Sequence, residues 1–283
     1  VIQLMSIVRL SIFMLGITMM SCNSKKEQQL PAIGKSVALF DYFSYKGNDD
    51  FYISNPLSDE DYFYNPILPG WYSDPSVCTN GEGDYFLVTS TFTYFPGVPI
   101  FHSKDLVNWK QIGHVLNRAS QLVNMEGQKV SGGIFAPAIS YNPYNKTYYM
   151  VTINVGAGNF FVKTQDPFGE WSEPVMLPEV GGIDPSFFFD EDGKAYIVNN
   201  DEAPDNKPEY SGHRTIRIQE FDVKTDKTIG PRKILVNKGA QPADKPIWIE
   251  GPHLYKINGK YFLMSAEGGT GNWHSEVIFC GDS

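Results

Sequence analysis

The sequence predicts an all-β fold of the β-propeller type, in which four-stranded sheets, here called blades, are arranged in tandem around a central axis. The main indication is a unit that occurs four times: a lead residue close to a proline, an apolar run, a turn and a strand with a tyrosine. The lead residue precedes the tyrosine by 11 or 12 residues each time, and the units recur at roughly 50–65 residues, which is typical of repeat architectures. A second indication is that no stretch of about 11 residues has helical periodicity.

The lead residues of the four units are Asp74, Ala136, Asp184 and Glu250, so three of the four are carboxylates. In a propeller, the innermost strand of every blade runs beside the central axis, and equivalent positions on these strands converge at one mouth of the tunnel. The similar spacing predicts that the three carboxylates occupy the same structural point in their blades. We therefore expect them to face one small cavity.

Further strands follow each unit, and their spacing gives about four short strands per blade. The first three predicted blades comprise residues 72–118, 133–180 and 183–240. A fourth blade begins near residue 248 and has reached about its third strand at Ser283. A closed ring needs more strands than this, and we therefore expect the sequence to be truncated at its C-terminus.

Residues 1–22 are predicted to be a targeting segment. Arg9 supplies a positive charge, and residues 10–20 form an apolar run that is short for a membrane-spanning helix. A small residue directly before Cys22 resembles a bacterial lipoprotein processing site, which implies cleavage before Cys22 and lipidation of its thiol. The alternative is an ordinary signal peptide with an incidental cysteine. A lipidated protein would be exported, as a periplasmic or cell-surface lipoprotein of a bacterium that contacts the membrane only through its lipid.

Residues 23–63 are predicted to precede the propeller. Residues 23–36 are polar and patternless, which is typical of a flexible tether. Residues 37–63 alternate aromatic and acidic residues and form an N-terminal extension to which the sequence assigns no element. The partial propeller then extends over residues 64–283.

The charge balance argues against one class of partner. The chain has 23 Lys and Arg residues against 32 Asp and Glu residues, and no basic cluster is longer than Lys25-Lys26. Nucleic-acid binding needs a concentrated basic face. We therefore expect no nucleic-acid partner.

Three carboxylates around one cavity have a chemical consequence. Mutual repulsion should raise the pKa of at least one of them, so that a protonated acid and an ionised base coexist near neutral pH. Glycoside hydrolysis uses such a pair, in which the acid protonates the leaving oxygen and the base activates a water molecule. The alternatives are three hydrogen-bonded turn carboxylates or a cation site.

Four segments around the lead residues resemble the motifs of glycoside hydrolase family 43. They are residues 65–76, 133–137, 182–186 and 249–253. The resemblance extends over about residues 64–283 and implies a five-bladed propeller, of which the fourth blade is incomplete and the fifth is absent in this chain. It also implies hydrolysis with inversion of configuration.

The resemblance implies a role for each carboxylate. Asp74 would be the general base, Asp184 would orient the acid and tune its pKa, and Glu250 would be the general acid. Residues 90–100 and 102–109 further resemble the β-xylosidase branch of the family. The implied function is an inverting exo-glycosidase of xylan degradation that removes terminal xylose from β-1,4-xylo-oligosaccharides, with xylo-oligosaccharide or arabinoxylan as its substrate.

Three alternatives stay open. The protein could be an α-L-arabinofuranosidase, because xylopyranose and arabinofuranose share stereochemical features. It could be an inactive sugar-binding fragment, because the segment that would supply the family's sugar-contacting arginine is not in this chain. A retaining, sucrose-type enzyme fits less well, because the motifs around Asp74 and Asp184 match the inverting family better.

The resemblance also suggests binding residues. Phe95 and Phe135 lie where the family places sugar-facing aromatics, and Trp71 adjoins the motif of the base; core packing is the alternative for each. His274 matches a histidine that approaches a central calcium ion or its waters, and a purely hydrogen-bonded histidine is the alternative. No cofactor is implied, and a structural calcium is the one metal that the resemblance suggests.

Overall fold

The computed structural model of the protein describes residues 50–57, 62–271 and 275–281. The chain divides into two compact units, Val1–Pro56 and Leu57–Ser283.

The described part of the first unit contains one short helix, α1 (Asp50–Ser54), in a segment to which the sequence assigns no element. The predicted targeting segment and its Cys22 lie outside the described residues. Within the described ranges, no helix is long and apolar enough to cross a membrane.

The second unit contains fifteen β-strands among its described residues, in four antiparallel sheets that each follow chain order. Blade 1 contains β1 (Ser76–Thr79), β2 (Tyr85–Val88), β3 (Gly97–Ser103) and β4 (Lys110–Leu116). Blade 2 contains β5 (Ile134–Asn142), β6 (Thr147–Asn154), β7 (Gly158–Thr164) and β8 (Val175–Met176). Blade 3 contains β9 (Ile183–Phe189), β10 (Ala195–Glu202), β11 (Arg214–Asp222) and β12 (Lys227–Asn237). Blade 4 contains β13 (Glu250–Ile257), β14 (Lys260–Glu267) and β15 (Ser275–Gly281).

These sheets confirm the predicted all-β propeller, with four blades in the predicted order. Among the described residues, three short 3₁₀ turns connect strands. They are Ala119–Gln121, Pro204–Asn206 and Pro242–Asp244.

A β-bulge interrupts the innermost strand of each blade, or the residues leading into it, at a proline. The prolines are Pro75, Pro137, Pro185 and Pro252. In each blade the proline and the residue before it stand opposite a single residue of the second strand. Proline has no N–H group to donate, so the ladder cannot continue through it. A bulge at this point bends the strand and re-aims the neighbouring side chains.

The bulges also reveal a difference in register between the units. Asp74 and Asp184 directly precede their prolines, whereas Gly251 separates Glu250 from Pro252. The backbone angle φ of Gly251 is 58°, close to the 53° and 54° of the two aspartates. Gly251 is therefore the ladder equivalent of the aspartates, and the expectation that all three carboxylates share one structural point is wrong. Glu250 lies one residue earlier, and its side chain is one methylene longer.

Hydrophobic clusters fill the spaces between successive blades. The cluster between blades 1 and 2 includes Phe86, Ile100, Ile139 and Met150. The cluster between blades 2 and 3 includes Tyr149, Phe161, Phe187 and Phe221. The cluster between blades 3 and 4 includes Ile216, Ile249 and Leu263. Burial of each large apolar side chain is worth roughly 1.5–3 kcal/mol, so packing between blades is a main source of stability.

Serine hydroxyls join the innermost strands of neighbouring blades. The Ser76 hydroxyl accepts a hydrogen bond from the Ile139 N–H group at 3.1 Å. The Ser140 hydroxyl donates to the Phe187 carbonyl at 2.9 Å, and the Ser186 hydroxyl donates to the Pro252 carbonyl at 2.6 Å. These bonds fix the relative heights of the inner strands, and with them the heights of the lead residues.

We expect Phe161→Ala to lower the free energy of unfolding by about 3–5 kcal/mol, because it leaves a cavity between blades 2 and 3. The Phe161 ring is fully buried, 5.5 Å from the ring of Phe187 and 5.6 Å from that of Phe221. Urea titration measures the loss. The control is Tyr144→Ala, whose side chain is 57% exposed and should cost less than about 0.5 kcal/mol. Equal losses in the two variants would contradict an interface stabilised by packing.

Candidate active site

The three predicted carboxylates line one cavity of about 230 Å³. Asp74, Asp184 and Glu250 enter it from blades 1, 3 and 4, and Ala136 contributes the lining from blade 2. Residues far apart in sequence therefore meet at the axis, as the repeat predicts. The lining thus combines acidic groups from blades 1, 3 and 4, including a fourth carboxylate, Glu276, with a small apolar residue from blade 2.

Backbone conformation directs two of these side chains. Asp74 and Asp184 have φ angles of 53° and 54°, in the left-handed region that non-glycine residues seldom occupy. Such conformations persist where the surrounding structure holds them, and they are common at functional sites. Just before Asp184, a Cβ atom on Gly182 would lie 1.9 Å from the Asn200 carbonyl oxygen, so only glycine permits this close approach.

Asp184 is the most enclosed of the three carboxylates, with 9% of its surface exposed. Its Oδ2 accepts a hydrogen bond from the Gly251 N–H group at 3.0 Å. Burial, followed by the neighbouring charges of Glu250 and Asp74, raises the pKa of Asp184 to about 7, although the Gly251 bond opposes the shift. The protonated and ionised forms of Asp184 are therefore both accessible near neutral pH.

Asp74 is held by Ser90, a residue that sequence reasoning missed. The Ser90 hydroxyl donates a hydrogen bond to Asp74 Oδ2, and the Ser90 N–H group donates to the Ser73 carbonyl at 3.0 Å. One serine thus fixes both the backbone before Asp74 and the carboxylate itself. Nothing in a single serine at a strand end signals this role in the sequence.

Glu250 is half-buried at the start of β13. His253, three residues later, also lines the cavity. Burial lowers the pKa of His253 to about 4, so its imidazole is neutral at physiological pH. The structure thus places a neutral histidine on the cavity wall.

Comparison with known proteins identifies the family of this propeller. The model of glycosyl hydrolases family 43 matches residues 63–283. This chain belongs to glycosyl hydrolase family 43. A xylosidase/arabinosidase from Butyrivibrio fibrisolvens is 50% identical to it over 214 residues, which are 75% of this chain and 40% of that relative.

Two further family 43 relatives are similar. A non-reducing end α-L-arabinofuranosidase from Bacteroides ovatus is 41% identical over 223 residues, covering 76% of this chain and 38% of the relative. The crystal structure of a GH43_12 protein retrieved from capybara gut metagenome is 55% identical with a TM-score of 0.78, covering 84% of this chain and 44% of that one. This chain thus spans roughly 40% of the length of the curated relatives that it matches.

The three predicted sugar-facing aromatics lie outside the lining of the carboxylate cavity. Trp71 and Phe95 are 70% and 59% exposed, so core packing does not account for either, and Phe135 is half-buried. Phe92, which sequence reasoning did not single out, links two of them: its ring stacks on Trp71 at 5.7 Å and meets the edge of Phe135 at 5.7 Å. The result is an aromatic surface of Trp71, Phe92 and Phe135.

A larger cavity of about 500 Å³ lies between blades 3 and 4 and has a mainly apolar lining that includes Phe188, Leu235 and Phe279. Its two carboxylates, Asp190 and Asp192, belong to one turn, and the Asp190 carboxylate is already bonded to Tyr261 and Lys256. We therefore place the candidate active site at the smaller cavity.

The predicted calcium contact, His274, lies outside the described residues. Across the described ranges, no group of three or more His, Cys, Asp or Glu side chains is arranged to hold a metal ion. The described residues thus offer no ready-made metal site, and the calcium contact stays a prediction.

We expect Asp184→Asn to stabilise the protein increasingly as pH rises from about 4 to 7. A carboxyl whose folded pKa is raised binds its proton more tightly in the folded state, so wild type loses this stability as pH rises through the window. Near pH 8 the melting temperature of the variant should exceed that of wild type by roughly 5 °C. Near pH 4 the two should agree, as differential scanning calorimetry would measure.

The control for this pH series is a carboxylate whose pKa is shifted in the opposite direction. Asp105 is an exposed carboxylate whose pKa is lowered by hydrogen bonds from Asn108, Val107 and Ser103. Asp105→Asn should therefore be less stable than wild type by a constant amount above about pH 4, and the difference should shrink only as pH falls below about 4. If the difference between Asp184→Asn and wild type were equally constant between about pH 4 and 8, the account of Asp184 would be wrong.

Proposed function

We propose that this protein is a glycoside hydrolase that removes terminal xylose from β-1,4-xylo-oligosaccharides with inversion of configuration. The observation that carries the proposal is the meeting of Asp74, Asp184 and Glu250 at one cavity from three different blades. The names of the relatives, a xylosidase/arabinosidase and an arabinofuranosidase, support this class of substrate.

In the proposed reaction, Asp74 takes a proton from a water molecule while Glu250 protonates the leaving oxygen. The Ser90 hydroxyl orients the Asp74 carboxylate, which keeps lone pairs free for the water proton. The attacking water and the leaving group are on opposite faces of the sugar, so the anomeric configuration inverts.

Asp184 is proposed to support the acid rather than to react itself. It binds the Gly251 N–H group beside Glu250, and therefore fixes the backbone that presents the acid. The negative charge of Glu250 is one cause of the raised pKa of Asp184, so the two carboxyls disfavour being ionised together. We therefore propose that the pair retains a proton, which Glu250 donates to the leaving oxygen.

Exposed aromatic rings support a sugar ligand. Trp71 and Phe95 present exposed rings, and the C–H face of a pyranose packs well on such rings. We propose Trp71, Phe95 and Phe135 as substrate contacts. The five-bladed ring implied by the family resemblance and the calcium contact of His274 also stay predictions.

Two other functions are favoured by particular observations. The Bacteroides ovatus relative is an α-L-arabinofuranosidase by name, which favours arabinofuranoside as the alternative substrate. An inactive sugar-binding protein is the second alternative, which the exposed rings of Trp71 and Phe95 favour. Rates on nitrophenyl β-xyloside and nitrophenyl α-L-arabinofuranoside distinguish a xylosidase from an arabinofuranosidase. Binding of these substrates without turnover would identify the inactive sugar-binding protein.

We expect Glu250→Gln to reduce kcat on xylobiose by about 10²–10⁴-fold, because the sugar leaving group needs a proton. The same variant should retain far more activity on dinitrophenyl β-xyloside, whose leaving group departs without one. Asp74→Asn should lose activity on both substrates, because both need the activated water. If Glu250→Gln lost activity equally on the two substrates, Glu250 would not be the general acid.

The stereochemistry has a separate test. Proton NMR of the xylose first released from nitrophenyl β-xyloside should show the α-anomer before mutarotation. Release of β-xylose would contradict the inverting mechanism, whatever the variants show.

We further propose that Cys22 carries a lipid that anchors an exported protein, since Ser21-Cys22 follows an apolar run. Cys22→Ser should move the protein from the membrane to the soluble fraction of fractionated bacterial cells, and mass spectrometry should show loss of the acyl chains. The control is Ser24→Ala, outside the processing site, which should remain with the membrane. A soluble wild-type protein would show that Cys22 is incidental.

A further inference from the structure

One ladder position recurs beside every bulge. It is the residue of the second strand that pairs with the residue two before the bulge proline. The four residues at this position are Ser90, Ile153, Asn200 and Ala266. Two of them are polar and two are apolar, so the propeller fold accepts either kind.

The two polar members both bond to a segment that bears a lead carboxylate. The Ser90 hydroxyl donates to Asp74 Oδ2 within blade 1. The Asn200 amide crosses to the next blade, where its Nδ2 donates to the Ile249 carbonyl at 2.5 Å, directly before Glu250. In blade 2 the lead residue is Ala136, which has no carboxylate to orient, and the position is Ile153.

The bond from Asn200 completes a clamp on the backbone of Glu250. Asn200 and Ile249 are 1% and 0% exposed, so water does not compete with the bond between them. On the other side of Glu250, Asp184 accepts from the Gly251 N–H group. Blade 3 thus holds the peptide groups on both sides of Glu250.

The clamped segment has a backbone that needs such support. Trp248 has a φ angle of 53°, which is a real outlier for a bulky residue, and Gly251 has 58°. Conformations of this kind cost of order 1–3 kcal/mol each for a residue with a side chain. Loss of a buried anchor between Trp248 and Gly251 therefore allows the segment to relax and to move Glu250.

We propose that this ladder position holds a positioning residue for each partner of the reaction: Ser90 for the base Asp74, and Asn200 for the acid Glu250. The inference rests on the proposed function, in which these two carboxylates activate water and protonate the leaving group. Neither side chain is a catalytic residue, since each acts through a neighbour. A displacement of about 1 Å at the reacting group can cost 10²-fold in rate.

Substitution of the two positioning residues should lower kcat on different substrates. For Asn200→Ser we expect kcat on xylobiose to fall by about 10–100-fold and kcat on dinitrophenyl β-xyloside to change less than about threefold, because only the sugar leaving group needs a proton. Serine at this position is compatible with the fold, since blade 1 has Ser90 there. Its shorter side chain does not reach the Ile249 carbonyl of the next blade.

Ser90→Ala should instead reduce kcat on both substrates by a similar factor of about 10, because both need the activated water. Ser90→Thr keeps a hydroxyl and should restore most of the rate. Asn142→Ser is the control for the loss of a buried asparagine elsewhere. The Asn142 Oδ1 accepts a hydrogen bond from the Tyr144 N–H group at 3.0 Å in the turn between β5 and β6, and both substrates should react as in wild type.

The outcomes separate the inference from the proposed function. Suppose that Glu250→Gln shows the leaving-group dependence. If Asn200→Ser then loses activity equally on both substrates, or loses activity on neither, Asn200 is only structural and the inference for it fails. If Ser90→Ala reacted as fast as wild type, Ser90 would not be a positioning residue. If Glu250→Gln shows no leaving-group dependence, the proposed function fails. In that case crystal structures of wild type and Asn200→Ser still test the clamp, because an unmoved Glu250 carboxyl group in the variant would overturn it.

Discussion

The missing N–H group of proline is the constraint on which the site depends. Each innermost strand must leave its ladder where the proline stands, and the bulge that results turns the adjoining residues toward the axis. The left-handed backbone of Asp74 and Asp184 belongs to the same distortion. Because the distortion recurs in each blade, carboxylates that are distant in sequence arrive in one cavity.

Much of this arrangement follows from sequence. The recurring proline units predict the blades and the convergence of Asp74, Asp184 and Glu250, because strand order and period-2 alternation are local properties. The one-residue offset of Glu250 does not follow, since the interval to the strand tyrosine varies by one residue between units and register depends on pairing across strands. Ser90 and Asn200 were missed for a related reason: their bonding partners are set by strand pairing and by packing between blades.

Contacts between neighbouring blades hold many residues of the site in place. Asp184 and Ser186 of blade 3 bind the peptide groups of Gly251 and Pro252 in blade 4. The hydrophobic clusters between blades keep these hydrogen bonds aligned, so packing remote from the cavity contributes to the placement of its carboxylates. The raised pKa of Asp184 has the same origin, because the burial that blade packing imposes is its largest cause.

Gly251 breaks the repetition among the four blades. Where three blades place Asp74, Ala136 and Asp184, blade 4 has no side chain, and a Cβ atom added to Gly251 would meet nothing within 4 Å. The cavity lining therefore has an open position beside Glu250. The cavity is thus asymmetric in shape as well as in charge, so the shape of a bound molecule alone favours one orientation over another.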